Sequence, residues 1–206
     1  MSGSRGFFYD DCRSGDRLAR EYTVIAGTWS SQYASPYFVY QCEDSAGVND
    51  IMYLASFQHP RMFDIRALVN IVSSTHANKQ IGLIASYALL AGAADVSNSI
   101  QLILRQNIPD LYLFGPTFAI STPMTINLNT WYYLRLMYNG TNVKGKAWQR
   151  GTQEPDWQAA AKVSSKSGSG GWLSRQGQVF GLRSISSLNR VADIRITPIP
   201  RTGGVP

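Results

Sequence analysis

An all-β fold, two antiparallel sheets packed as a sandwich, is what this sequence predicts, and three observations predict it. Segments rich in β-branched and aromatic residues recur at short intervals, separated by Gly, Asn, Ser and Pro, a spacing typical of sandwiches and barrels. No segment sustains a helical period. Residues 131–149 also carry a complete hairpin signal, two alternating segments joined by a turn dipeptide.

The hairpin is the most informative element. Tyr132, Leu134, Leu136 and Tyr138 alternate with Trp131, Tyr133, Arg135 and Met137, so the two sets leave a pleated strand on opposite faces. Leu134, Leu136 and Tyr138 are predicted to point inward. Asn139-Gly140 is read as a type I′ turn, whose two central residues both need φ > 0. On the returning strand Val143, Gly145 and Ala147 form a small apolar face, and Lys144, Lys146 and Trp148 a charged one. Gly151 and Pro155 close the arm and bring Trp157 back toward it. The other predicted strands are 22–30, 36–42, 51–57, 63–73, 79–90, 98–106, 110–114, 117–121, 158–163, 178–184 and 191–197.

These segments resemble concanavalin A-like (laminin-G-like) jelly-roll domains. Trp131-Tyr-Tyr-Leu-Arg-Leu136, the Asn-Gly turn, Lys144-Gly-Lys-Ala-Trp148 and Glu154-Pro-Asp-Trp157 are similar to the late strands of that family. Thr28-Trp29 sits near the start; Phe63-Asp-Ile-Arg-Ala-Leu-Val69 resembles the first long core strand and Gln80-Ile-Gly-Leu-Ile84 the strand facing it. Gly181-Leu-Arg183 and Ala192-Asp-Ile-Arg-Ile196 resemble the closing strands. The likeness runs from about residue 21 to 197 and implies a jelly-roll sandwich, a fold that carries many unrelated functions.

Composition agrees with one packed domain. Hydrophobic residues make up 44% of 206 and charged residues 16%, whereas disorder needs low hydrophobicity and high charge. The longest apolar run, Ile81–Ala94, is broken by Ser86 and Tyr87 and falls short of the roughly 20 residues of a spanning helix; no membrane span is expected. Residues 1–20 are polar and read as an N-terminal arm, 21–197 as the sandwich, and 198–206, with Pro198, Pro200 and Pro206, as a C-terminal arm. Residues 164–171 read as a flexible Ser/Gly loop. The N-terminus shows no export signal, so Cys12 and Cys42 are expected as reduced thiols in a cytoplasmically made protein and Asn139-Gly-Thr141 as a turn only. Charge is uneven: residues 1–110 hold 8 basic against 10 acidic residues, and 111–206 hold 11 against 3. That pattern suits an anionic partner or ordinary solubility charge.

No catalytic constellation emerges. Glycosidases of the resembled fold carry acidic residues two apart on one strand. Asp10-Asp11 and Glu43-Asp44 are adjacent, and Glu154 and Asp156 flank Pro155 in a predicted solvated turn. His59 and His76 lie at no metal-ligand spacing from the cysteines, and Gly168-Ser-Gly-Gly171 lacks the Lys-Ser/Thr of a phosphate loop. Asn49-Asp50 and Asp95 with Asn98 supply too few oxygens for calcium. No cofactor, metal or catalytic residue is expected, nor direct reading of nucleic acid. Trp29, Trp131, Trp148 and Trp157 fall where the resembled family packs its core or braces its hairpin, leaving Trp172 as the candidate glycan contact. Phe7, Phe8 and Tyr9 are the candidate subunit contacts, apolar anchors on a polar arm that packs either on the domain's own sandwich or on an adjoining subunit.

The resemblance extends to stand-alone sandwiches found among tailed-bacteriophage virion proteins. It implies a non-enzymatic structural component of a head, neck, tail or baseplate, located in the virion, with copies of itself, other virion proteins and a host surface glycan as partners. The alternative is a carbohydrate-binding module that recognises a cell-surface glycan.

Overall fold

The computed structural model describes residues 7–13, 18, 20–43, 49–54, 62–73, 79–88, 99–163 and 178–199. The strands among them, in chain order, are β1 (Phe8–Asp10), β2 (Tyr22–Ala26), β3 (Trp29–Ala34), β4 (Tyr37–Cys42), β5 (Asn49–Leu54), β6 (Phe63–Ser73), β7 (Gln80–Ala88) and β8 (Ile100–Arg105). They continue as β9 (Asp110–Gly115), β10 (Phe118–Pro123), β11 (Trp131–Tyr138), β12 (Asn142–Gln149), β13 (Ala159–Lys162), β14 (Gln178–Ile185) and β15 (Leu188–Pro198). All pairings are antiparallel. One sheet runs β13-β12-β11-β6-β15-β4-β3, with β1 also on β15; the other runs β10-β9-β8-β7-β14-β5-β2. The chain is therefore the two-sheet antiparallel sandwich that the alternation predicts.

Alternation builds the core. Leu134, Leu136 and Tyr138 of β11, Val143 and Ala147 of β12, and Phe63, Ile65, Ala67 and Val69 of β6 meet Leu102, Leu104, Leu111, Leu113, Ile81 and Leu83 of the other sheet in one buried cluster. Gly145 packs directly under Leu102: a Cβ there would lie 2.4 Å from Leu102 Cδ1, so any side chain would force the buried leucine to move. A cavity between the sheets, beside Leu83, Phe180 and Ile196, has a volume of only about 20 Å³ and holds no ligand-sized space.

Four expectations change. The predicted strand 22–30 is two strands in different sheets, broken at Gly27 (φ +80°), where a Cβ would meet the Asp50 carboxyl at 2.4 Å. The Asn139-Gly140 turn is not type I′: three residues link β11 to β12, and of these Gly140 alone has positive φ. Asn139 Oδ1 instead accepts the backbone N–H groups of Thr141 (3.2 Å) and Asn142 (2.8 Å), the side-chain turn that asparagine favours. Pro198 belongs to the sheet as the last residue of β15, opposite Phe63, an end position where a missing N–H is tolerated.

The fourth change concerns the N-terminal arm. Residues 8–10 form β1 on the domain's own β15, with Phe8 opposite Ile196 and Asp10 opposite Ile194. Phe8 enters the core. Asp10 is fully buried and accepts hydrogen bonds from the Tyr22 hydroxyl (3.0 Å), the Tyr40 hydroxyl (2.7 Å) and the Cys12 backbone N–H (2.8 Å). Tyr22 comes from one sheet and Tyr40 from the other, so one carboxylate ties both to the N-terminal segment. Asp10→Ala is expected to destabilise the fold by about 3–5 kcal/mol, because it strands two buried hydroxyls and a backbone donor. Urea unfolding should read this as a lower midpoint with unchanged slope. A loss within about 0.5 kcal/mol, the usual range for surface substitutions, would exclude the latch.

Candidate functional site

The residues that β8, β9, β10, β7 and β14 do not spend on the core line the outward face of their sheet. Leu102, Leu104, Leu111 and Leu113 point in, so Gln101, Ile103, Arg105, Tyr112 and Phe114 point out. Tyr112 and Phe114 are half-buried and stack side by side, centroids 6.0 Å apart and planes 25° from parallel, forming a shelf. Arg105 lies opposite Asp110 across the β8–β9 turn and grips its carboxylate through Nε (2.8 Å) and Nη2. Its guanidinium sits 3.8 Å from the Tyr112 ring centroid. The Asp110 hydrogen bond raises the Arg105 pKa further above its ordinary value. The Ser121 hydroxyl donates to the same carboxylate.

Beside the shelf, Gly82 lies in register between Ile103 and Arg183, and a Cβ there would come within 2.7 Å of the Leu102 carbonyl oxygen. Arg183 donates to Gln101 Oε1, whose Nε2 donates to Ser99 Oγ at 3.0 Å. Burial lowers the Arg183 pKa to about 10, which still leaves it protonated at neutral pH. Two ring faces beside fixed charged and hydroxyl groups suit stacking on a sugar with hydrogen bonds to its hydroxyls. Sequence reasoning passed over these residues. Yet the alternation that marks Leu134 and Leu136 also sets Tyr112 and Phe114 opposite Leu111 and Leu113.

The outward face of the other sheet is different. Lys146, Arg135, Arg66 and Arg195 stand directly opposite one another on β12, β11, β6 and β15, a cationic row across four adjacent strands. Arg135 binds Asp64 through Nε (3.0 Å) and Nη2 (2.6 Å) and Glu154 through Nη1 (2.6 Å). Lys146 reaches Glu154 (2.7 Å), and Arg195 reaches Asp193 (2.8 Å). Rings cover the cations: Tyr133 under Arg66 at 4.0 Å, Trp157 under Lys146 at 4.6 Å, and Tyr9 under Arg195 at 5.1 Å. Glu154 is thus not a solvated turn residue. Burial would raise its pKa, but hydrogen bonds from Lys146 and Arg135 outweigh that and hold it below the ordinary value.

The structure separates the other candidates. Trp29 packs between the sheets, but Trp131 lies on the outer side with Tyr133 and Tyr37, and Trp148 is buried beside Tyr133 and Arg66. These outer tryptophans brace the cationic face instead of filling the core. Phe8 is buried, whereas Phe7 and Tyr9 are exposed and stacked (6.5 Å). Trp172, His59 and His76 lie outside the described residues. Among the described residues, no three His, Cys, Asp or Glu side chains gather as a metal site, and no helix is long and apolar enough to cross a membrane.

No family model and no curated protein sequence matches this chain. Solved structures do. Carbohydrate-binding module CBM66 from Bacillus subtilis superposes with TM-score 0.60 at 15% identity, over 86% of this chain and 95% of that one. The VIP36 exoplasmic/lumenal domain, in its Ca2+/Man3GlcNAc-bound form, gives 0.61 at 9% identity, over 90% and 86%. A Bacillus subtilis protein with a galectin-like fold gives 0.58 at 8% identity, over 95% and 96%. The fold is a lectin-like jelly roll. A Bacillus licheniformis GH43 protein also matches, at TM-score 0.66 and 10% identity, over 93% of this chain and 39% of its own.

Both cysteines are free and buried. Burial pushes the Cys42 thiol up to about 12 and the Cys12 thiol well above its ordinary value, and the thiolate is the reactive form. Iodoacetamide at pH 8 is therefore expected to leave both unmodified in the folded protein and to alkylate both in denaturant. Rapid native modification of either, read by intact mass, would contradict this packing.

Proposed function

We propose that this chain is a non-enzymatic, glycan-binding module whose contact surface is the Tyr112–Phe114 shelf. The observation that carries the reading is the pairing of two parallel, half-exposed rings with the fixed Arg105–Asp110–Ser121 group on an outward sheet face. The likeness to CBM66 and to the glycan-bound VIP36 domain supports it at the level of fold. Glycan-array binding is the test. The full chain should bind at least one glycan without releasing reducing ends, and Tyr112→Ala should weaken binding by about tenfold or more at unchanged melting temperature, as loss of a central aromatic contact does. An array without binding, or equal binding by the variant, would refute the shelf; turnover of any glycan would refute the non-enzymatic reading.

A second reading, a structural component of a tailed-bacteriophage virion, draws support from a different surface. β3 ends its sheet, and its exposed Tyr33 packs edge-on against the exposed Phe38 of β4 (5.2 Å). Phe7 and Tyr9 add exposed rings. Among the described residues β3 has no strand beyond it, and a sheet edge rimmed by aromatic residues suits pairing with another subunit. The two readings are compatible, since a particle protein can also bind a host glycan. Mass spectrometry of purified particles should find the chain in stoichiometric amount, and Tyr33→Ser should reduce its incorporation. Absence from particles would reject this setting.

A further inference from the structure

Arg66 stands between Arg135 and Arg195 in the cationic row, directly opposite both. Like charges placed opposite each other destabilise a sheet, and each neighbour has a carboxylate to offset this: Asp64 and Glu154 for Arg135, Asp193 for Arg195. Arg66 has none. Its described contacts are two ring faces, Tyr133 at 4.0 Å and Trp148 at 5.3 Å, and its Nε is buried without a hydrogen-bond partner. Lys144 also lies on this face, two residues from Lys146 along β12. Arg150 lies over Tyr37 (5.0 Å), which packs on the outward Trp131, and Arg190 of β15 is held by Gln41 (2.9 Å).

We propose that the outward face of the β12-β11-β6-β15 sheet binds a carboxylate-bearing polysaccharide, with Arg66 as the central contact. The row already shows its preferred chemistry, since Arg135 grips Asp64 through two nitrogens, the fork-on-carboxylate geometry of guanidinium groups. A carboxylate seated on Arg66 completes the same pattern at its middle position. Neighbouring strands lie about 4.8 Å apart, so the row offers cations over about 14 Å, long enough for several sugars of a chain rather than one isolated anion. Nucleic acid fits less well. Single-stranded binding needs bare rings for base stacking, whereas Tyr133 and Trp157 are already capped by Arg66 and Lys146. This face is opposite the Tyr112–Phe114 shelf, and the inference does not depend on that shelf.

The test is isothermal titration of the full chain with polygalacturonate, with fully methyl-esterified polygalacturonate and with oligothymidylate at matched ionic strength. Polygalacturonate is expected to bind, with affinity falling as salt rises, and the uncharged ester to bind far more weakly. Arg66→Met keeps the stem over Tyr133 but removes the charge. It should lower affinity by about tenfold or more, the scale of a charge-assisted pair, without lowering the melting temperature. Arg195→Gln, at an exposed position, should give a smaller loss and carries the test should Arg66→Met fold poorly. Tyr112→Ala should bind polygalacturonate as the parent does, so failure of the shelf and failure of this face are distinguishable. Equal binding of acid and ester, no effect of either arginine variant, or tighter binding of oligothymidylate would overturn the proposal.

Discussion

The register of β6 against β11 and of β11 against β12 is the constraint on which both the core and the cationic face depend. With Leu136 opposite Ile65 and Gly145, and Arg135 opposite Arg66 and Lys146, one alignment sends Ile65, Leu134 and Leu136 inward and the row of cations outward. A slip by one residue inverts both sets. The outward row costs something in the correct register, because like charges face each other. In the slipped register it would drive three cations into a core of Leu102, Leu104 and Leu113, at the far greater cost of burying unpaired charge. The row therefore enforces the same alignment that the leucines favour. The glycine at 145 sharpens it further, since only that register places a residue without a side chain against Leu102.

A second constraint lies in β15. Its pairing with β6 shifts between Ala192 and Arg195, with Asp193 at positive φ (50°). The extra residue bends the strand, so that its first half pairs with β4 and its second half with β1. The space beside Ile194 and Ile196 is closed by Phe8 and sealed by Asp10 with its two tyrosines. The displaced Asp193 holds Arg195 at the end of the cationic row. One irregularity thus admits the N-terminal strand and sets the outermost cation.

Most of the sandwich was legible because period-2 alternation reports one-sided burial: β11 alternates throughout, and β6 and β12 alternate over their first residues. Features set by contacts distant in sequence were not. Phe7-Phe8-Tyr9 reads as a docking cluster, but pairing with residues 194–196 divides it, one ring inside and two outside. The tryptophans illustrate a further limit. Aromatic bulk argues for the core, yet Trp148 shares the strand face of Lys146 and is buried on the outer side beside Arg66 and Tyr133. Its own alternation with Val143 and Ala147 carried that information. The Tyr112–Phe114 shelf went unseen for a related reason: no residue type marks it out, and it becomes a candidate site only when the β8–β9 turn sets Arg105 against Asp110.

The uneven charge along the chain acquires a spatial meaning through the strand order. Early and late strands in a sandwich interleave, which should dilute the excess of 11 basic over 3 acidic residues in the second half. Here, of the second-half strands that carry basic residues, β11, β12, β13 and β15 lie in one sheet and β14 in the other. The early strand between β11 and β15 is β6, and at the row position it contributes another cation, Arg66, so interleaving completes the row instead of interrupting it. Arg183 of β14 is set apart in the opposite sheet, where Gln101 accepts its hydrogen bond. A linear asymmetry that solubility alone could explain thus becomes a one-sided field on a flat strand face. Such a field raises the local concentration of a polyanion and weakens as salt screens it. The opposite sheet holds its Arg105–Asp110 pair neutral beside the Tyr112 and Phe114 rings, and so carries no comparable field at that position. The two faces differ in charge because the topology sorted the cations.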